Sequence, residues 1–151
     1  MNEAVRSVDV ECPIEHMYRV ITDFESLPEF VTSLLGVTVD SRRNDTYQVS
    51  YRIKVTKEIE YTLELKGSPP NRLEWHLLGG EFIRGNDGVW ELEALDGERT
   101  RATYRIDLTL PIMVPPSVTR NLAEVSLPLM LDEFRVYAEK TWKSNGGGHP
   151  R

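Results

Sequence analysis

The sequence predicts an α+β protein with a helix-grip arrangement. In it a curved antiparallel β-sheet of about seven strands wraps a long C-terminal α-helix, with two short helices after strand 1. Three observations carry this reading. Residues 37–110 alternate apolar and polar side chains with a period of two, interrupted by turn residues. Residues 116–142 form the one long stretch whose apolar positions recur at helical spacing. The elements also run in the order strand, Pro-started helix, hairpin-linked strands and helix. Consecutive hairpins with one apolar face make a meander, and the last helix can cover that face.

Residues 5–11 alternate, with Val8 and Val10 on one side, and read as the first strand. Pro13 suits the first turn of a helix, and Ile14, Met17, Tyr18 and Ile21 make one face of a short amphipathic helix over 13–22. Asp23 is placed to cap a second short helix through Phe24, Leu27 and Phe30. Val37 and Val39 begin the next strand, and Asn44–Asp45 is a turn. Tyr47, Val49, Tyr51, Ile53 and Val55 form one strand face, and Ile59, Tyr61, Leu63 and Leu65 the next. A proline-containing turn over 67–71 leads to Leu73, Trp75 and Leu77. Gly79–Gly80 marks a turn or bulge, and residues 82–95 follow with Trp90 and Leu92 facing in. Asp96–Gly97 signals a hairpin into Ala102, Tyr104, Ile106, Leu108 and Leu110, and Pro111, Pro115 and Pro116 end the sheet.

In the terminal stretch Leu127, Met130, Leu131, Phe134, Tyr137, Ala138 and Trp142 share a helical face. An earlier stripe, Val118, Leu122, Val125 and Leu129, points roughly the opposite way at about 100° per residue. A straight rod cannot bury both. Pro128 lies at the join, so a kink or short break is expected near residues 126–128.

A chain of 151 residues suits a single domain, taken as 1–143, with a Gly-rich tail, SNGGGHPR, over 144–151 expected to be disordered. The net charge of -6 argues against general nucleic-acid affinity. Cys12 is the lone cysteine, which excludes an internal disulfide and any Cys-based zinc site. Neither a signal peptide nor a span of about 18 apolar residues is evident, so a cytoplasmic protein is expected. The nucleotide-loop, dinucleotide, nucleophile-elbow and HExxH motifs are absent. No cofactor and no metal are expected.

Residues 8–31, VDVECPIEHMYRVITDFESLPEFV, resemble the opening of the START-like, Bet v 1-like (SRPBCC) superfamily. The likeness runs through the Pro-started helix with Tyr18, then Asp23, then Leu27-Pro28-Glu29-Phe30. Gly80-x-Phe82 followed by Gly88-x-Trp90, and the strand over 100–110 before a proline-bounded helix, extend it to about residues 4–143. The chain looks most similar to the coenzyme Q-binding (COQ10) and polyketide cyclase/dehydrase branch. The resemblance implies a hydrophobic tunnel between sheet and helix that takes a lipid, an isoprenoid quinone or a polyketide. It also leaves open an aromatase/cyclase or a ribosome- or protein-binding module of the same fold, because fold transfers better than activity.

Tyr18, Phe30, Tyr51, Tyr61, Trp75, Trp90 and Tyr104 are inward aromatics that could line such a cavity or simply fill the core. With Phe82, Ile106, Leu122, Met130 and Phe134 they make the expected ligand-binding set. The expected partner is a hydrophobic small molecule, with no bound nucleic acid; Met113, Val114 and Pro115 read as packing under the helix, or else as a tunnel entrance or a transient membrane contact. The oligomeric state is left open. No catalytic residue is assigned. His16 reads as part of the polar face of the first helix beside Glu15 and Arg19, His76 as outward-facing, and His149 as part of the tail. Cys12 reads as a packed thiol. Arg84, Asn86 and Asp87 read as a bulged turn, or else as a polar rim of the tunnel, and strand phasing puts no polar group inside beyond tyrosines. A gate is expected at residues 79–88 or just before the long helix.

Overall fold

The computed structural model describes residues 2–54 and 57–144. Val55, the tail from 145 and His149 lie outside the described residues. Seven strands form one antiparallel sheet in the order β1-β7-β6-β5-β4-β3-β2. They are β1 (Asn2–Val10), β2 (Leu34–Arg43), β3 (Thr46–Lys54), β4 (Glu58–Ser68), β5 (Arg72–Gly80), β6 (Gly85–Asp96) and β7 (Arg99–Thr109). Each strand from β2 to β7 pairs with its sequence neighbour, and β1 closes onto β7. This is the expected meander, with every inward set on one face: Tyr47, Val49 and Tyr51 are buried on β3, and Leu63 and Leu65 on β4.

The turns follow local chemistry. Asn44 takes a φ of 54°, the left-handed conformation that a two-residue hairpin needs and that Asn tolerates. The β6–β7 hairpin turns at Gly97–Glu98, one residue later than expected, because the Asp96 carboxylate accepts from the Glu98 N–H at 2.8 Å and from Arg99 at 3.0 Å.

α1 (Ile14–Thr22) starts after Pro13 as expected. The second short helix is a 3₁₀ segment, Phe24–Glu29, and the Asp23 side chain makes no cap to it. The long helix is α2 (Pro116–Asn121), a π-helical segment (Leu122–Ser126) and α3 (Leu127–Ser144) in continuous succession. The expected kink or break is therefore a π turn. Widening the turn just before Pro128 accommodates a ring that would clash in an unbroken α-helix. It also splits the early stripe. Val118 and Leu122 border the interior, whereas Val125 and Leu129 are exposed. The core joins α1, α3 and the concave face of the sheet, with Val10, Cys12, Met17, Val49, Ala102 and Ala138 fully buried. No described helix is long and apolar enough to cross a membrane.

Candidate functional site

Between the concave face of the sheet and the helices lies a cavity of about 750 Å³ that opens to solvent. Period-two alternation delivers its sheet wall: Tyr51 and Ile53 from β3, Tyr61 and Leu63 from β4, Trp75 from β5, Trp90 from β6, Tyr104 and Ile106 from β7. Met130 and Phe134 of α3 and Leu122, Ala123 and Ser126 of the π segment supply the helical wall. The exposed lining residues Ser33, Lys54, Arg120 and Asn121 mark the mouth, between the start of β2, the end of β3 and α2. Of residues 79–88, one of the two places expected for a gate, only Asn86 borders the cavity. The other expected place, just before the long helix, adds none of residues 109–115 to the lining, whereas Pro116 and residues 118–123 of the helix itself border the cavity.

The interior is an aromatic network. Tyr51 stacks on Tyr61 at 5.3 Å. Tyr104 packs against Trp75 at 5.2 Å and edge-on against Trp90 at 4.9 Å, and Trp90 meets Phe134 at 5.1 Å. Burial pushes the Tyr51, Tyr61 and Tyr104 hydroxyls well above the ordinary phenol pKa, so all three are neutral O–H groups. Two of them also feel a neighbour: Tyr104 responds to Tyr61, and Tyr51 responds to both.

Nine of the twelve expected residues border this cavity: Tyr51, Tyr61, Trp75, Trp90, Tyr104, Ile106, Leu122, Met130 and Phe134. Three do not. Tyr18 is buried outside it, with its hydroxyl so close to Gly67 that a Cβ there would overlap it. Phe30 stacks on Tyr137 at 3.9 Å and meets Phe134 edge-on, bridging the 3₁₀ segment to α3. Phe82 is exposed in the β5–β6 loop with a φ of 69°, so the turn rotates it away, and Ile83 is the buried residue there.

From the sequence Asn86 belongs to a bulged turn or rim, and the interior holds no polar side chain but tyrosine. Instead Asn86 is only 6% exposed, borders the cavity, and accepts the Trp75 Nε1–H on Oδ1 at 3.0 Å. Gly88 makes this contact available. A Cβ at Gly88 would sit 2.7 Å from Trp75 Nε1 and closer still to the ring carbons, so only glycine lets the indole lie across β6. Counting back by twos from Leu92 and Trp90 reaches Gly88 and Asn86, so the strand phase itself held the signal.

His16 also differs from its expected place. It is 5% exposed, and its Nε2–H faces the Ala138 carbonyl at 3.0 Å, with Thr141 Oγ1 at 2.9 Å and the Trp142 ring at 5.2 Å. α3 covers this side of α1, which a one-helix periodicity cannot show. Desolvation lowers the His16 pKa below its ordinary 6.5. His76 is exposed beside Glu64 at 3.6 Å, as expected. Cys12 is buried, and desolvation raises its thiol to about 12, which suits an inert packed thiol. No group of His, Cys, Asp and Glu among the described residues could hold a metal ion.

A curved meander gripping a long helix over an aromatic cavity defines a START-like, helix-grip domain. The chain belongs to the polyketide cyclase/dehydrase and lipid transport family, whose profile matches residues 10–135. It is 27% identical over 151 residues to an uncharacterised 17.2 kDa protein of Streptomyces lincolnensis, covering 97% of this chain and 96% of that one. Among solved structures, the Zhui aromatase/cyclase of Streptomyces sp. R1128 superposes with a TM-score of 0.85 at 16% identity, covering 95% and 97% of the two chains. A START superfamily protein of Mycobacterium smegmatis does so at 0.83 and 18%, covering 92% and 98%. At these identities the two structures bear on the fold alone.

Proposed function

We propose that this protein binds a hydrophobic small molecule, of the lipid, isoprenoid quinone or polyketide kind, in the cavity between sheet and helix. The observation that carries the reading is the cavity itself. About 750 Å³ walled by Trp75, Trp90, Tyr104 and Phe134 is a size and lining suited to an organic ligand. Each 100 Å² of apolar ligand surface removed from water contributes about 2.5 kcal/mol of gross driving force. Family membership supports the same class of ligand.

An aromatase/cyclase would need a positioned base or acid at the reacting carbon. Among the described residues the buried lining supplies no carboxylate, imidazole or amine to act as the base, only neutral tyrosine O–H groups and an amide, and the charged lining residues Glu3, Lys54 and Arg120 are exposed. Binding therefore takes precedence over turnover. Exchange with a membrane would bring Ile112 and Met113 against lipid, since both are strongly exposed just before Pro116 at the mouth.

Native mass spectrometry of the purified protein, with solvent extraction of whatever is bound, tests the reading. A reproducible adduct of lipid, quinone or polyketide mass is expected. An apo mass that persists after incubation with members of all three classes would overturn it.

A further inference from the structure

The cavity wall carries one polar side chain whose orientation is dictated by its neighbour. Asn86 is more than nine-tenths buried, and its Oδ1 receives the Trp75 indole N–H at 3.0 Å. An indole nitrogen can only donate, so it holds the amide with oxygen toward Trp75 and the NH₂ group away from it. That NH₂ group has no acceptor among the described residues, and Asn86 borders the cavity. An amide NH₂ can only donate. Tyr61 and Tyr104 lie in the same wall, from strands separated by two others in the sheet, yet near enough that Tyr104 feels Tyr61. Neither makes a hydrogen bond to a described side chain or backbone group, and burial keeps both protonated.

The deep wall therefore presents hydrogen-bond donors without an accompanying charge. A plain hydrocarbon laid over them leaves buried donors unpaired, which is unfavourable. A carboxylate there would lose its hydration without gaining a cation, because Lys54 and Arg120 are at the mouth. A neutral carbonyl oxygen meets neither penalty. The aromatic walls of Trp75, Trp90, Tyr104 and Phe134 suit a flat ring system attached to that carbonyl.

We propose that Asn86, oriented by Trp75, is a specificity-determining residue that selects an uncharged aromatic ketone or quinone by donating its Nδ2–H to the ligand carbonyl. This rests on the ligand-binding reading above. It adds to that reading a demand for an acceptor oxygen, and it names the side chain that makes the demand. A site built around a donor rejects the analogue lacking the acceptor far more strongly than a purely apolar pocket can.

Isothermal titration calorimetry with 9-fluorenone and fluorene tests this directly. The two share one tricyclic frame and differ by a single carbonyl oxygen. The wild-type protein should bind fluorenone at least about tenfold more tightly. Asn86→Leu, close in size and without donors, should bring the ratio of the two affinities to within about twofold. Trp75→Phe frees the amide to flip and should lower the ratio severalfold. Tyr61→Phe keeps its ring and should lower it less. Should Asn86→Leu fail to fold, the Trp75→Phe and Tyr61→Phe ratios decide. Equal affinities in the wild type, or an unchanged ratio in the folded variants, would overturn the donor inference and leave the cavity reading standing. If neither compound binds, both fall together.

Discussion

Replacing Gly88 by alanine should unseat Trp75, and the structure sets the scale of the loss. The added Cβ would stand 2.7 Å from Trp75 Nε1, below any ordinary carbon contact, and nearer to two indole carbons. The obstacle is the middle of a rigid ring, so the indole has to tilt or move outward as a body. Tilting breaks the 3.0 Å bond to Asn86 and leaves a buried indole N–H and a buried amide oxygen without partners, at about 1–3 kcal/mol. Forcing one more carbon into the packed wall adds about 1–3 kcal/mol. A total near 3 kcal/mol corresponds to about 6–12 °C in Tm for a domain of this length. Urea unfolding followed by circular dichroism and tryptophan fluorescence would measure it. A double-mutant cycle with Trp75→Leu isolates the cause: once the indole is gone the alanine has nothing to displace, so the combined loss should be well below the sum. A loss under about 0.5 kcal/mol, or additive losses, would refute the account.

Tyr18→Phe should be neutral or stabilising by up to about 1 kcal/mol, because the Tyr18 hydroxyl is buried without a hydrogen-bond partner and burial raises its pKa to about 12. The same change should rescue Gly67→Ala, whose Cβ would overlap that hydroxyl; urea midpoints of the two single variants and the double variant check both points. Phe134→Ala removes a ring packed against Phe30 and Trp90 and should cost about 3–5 kcal/mol in chemical denaturation. Buried His16 has a depressed folded-state pKa, so the unfolded chain binds the proton more readily. Stability is then full above the ordinary value of 6.5 and falls as pH drops from there toward the depressed folded value. Thermal unfolding between pH 8 and pH 5 should show this slope, and His16→Asn should flatten it. An equal slope in the variant would remove His16 as its source.

Much of the fold was legible because the two periods, 2 in the strands and about 3.6 in the helices, barely overlap along this chain. Turn chemistry located the hairpins, to within one residue at Gly97–Glu98. The cavity wall was legible where alternation ran unbroken, as at Tyr51, Tyr61 and Tyr104. It failed at Phe82, because period-two counting assumes that the strand persists and the chain turns at 81–84. It failed at Asn86 for the converse reason. Reading Arg84, Asn86 and Asp87 as a bulged turn or rim stopped the strand phase at Gly88, one step short of Asn86, and its partner Trp75 belongs to another strand. Tyr18 and His16 illustrate a different limit. Both are on α1, buried on separate sides, and which side meets the cavity depends on where α3 and the sheet lie.

The pairing of β5 with β6 bears on how the sheet behaves as a barrier. Only four residue pairs join them, from Arg72↔Glu91 to Trp75↔Gly88, whereas β6 and β7 pair from Gly85↔Thr109 to Asp96↔Arg99, with one register shift between Ala94 and Asp96. Beyond Trp75 the two strands part, so the sheet has a slit within it as well as its two outer edges. Trp75 fills the end of that slit. It borders the interior cavity on one face and, on the other, a polar depression lined by Glu64, His76 and Asp87. The partition between the apolar interior and bulk water is, at this point, one indole thick. The indole is held in that place by one hydrogen bond to Asn86 and by the room that glycine leaves at position 88.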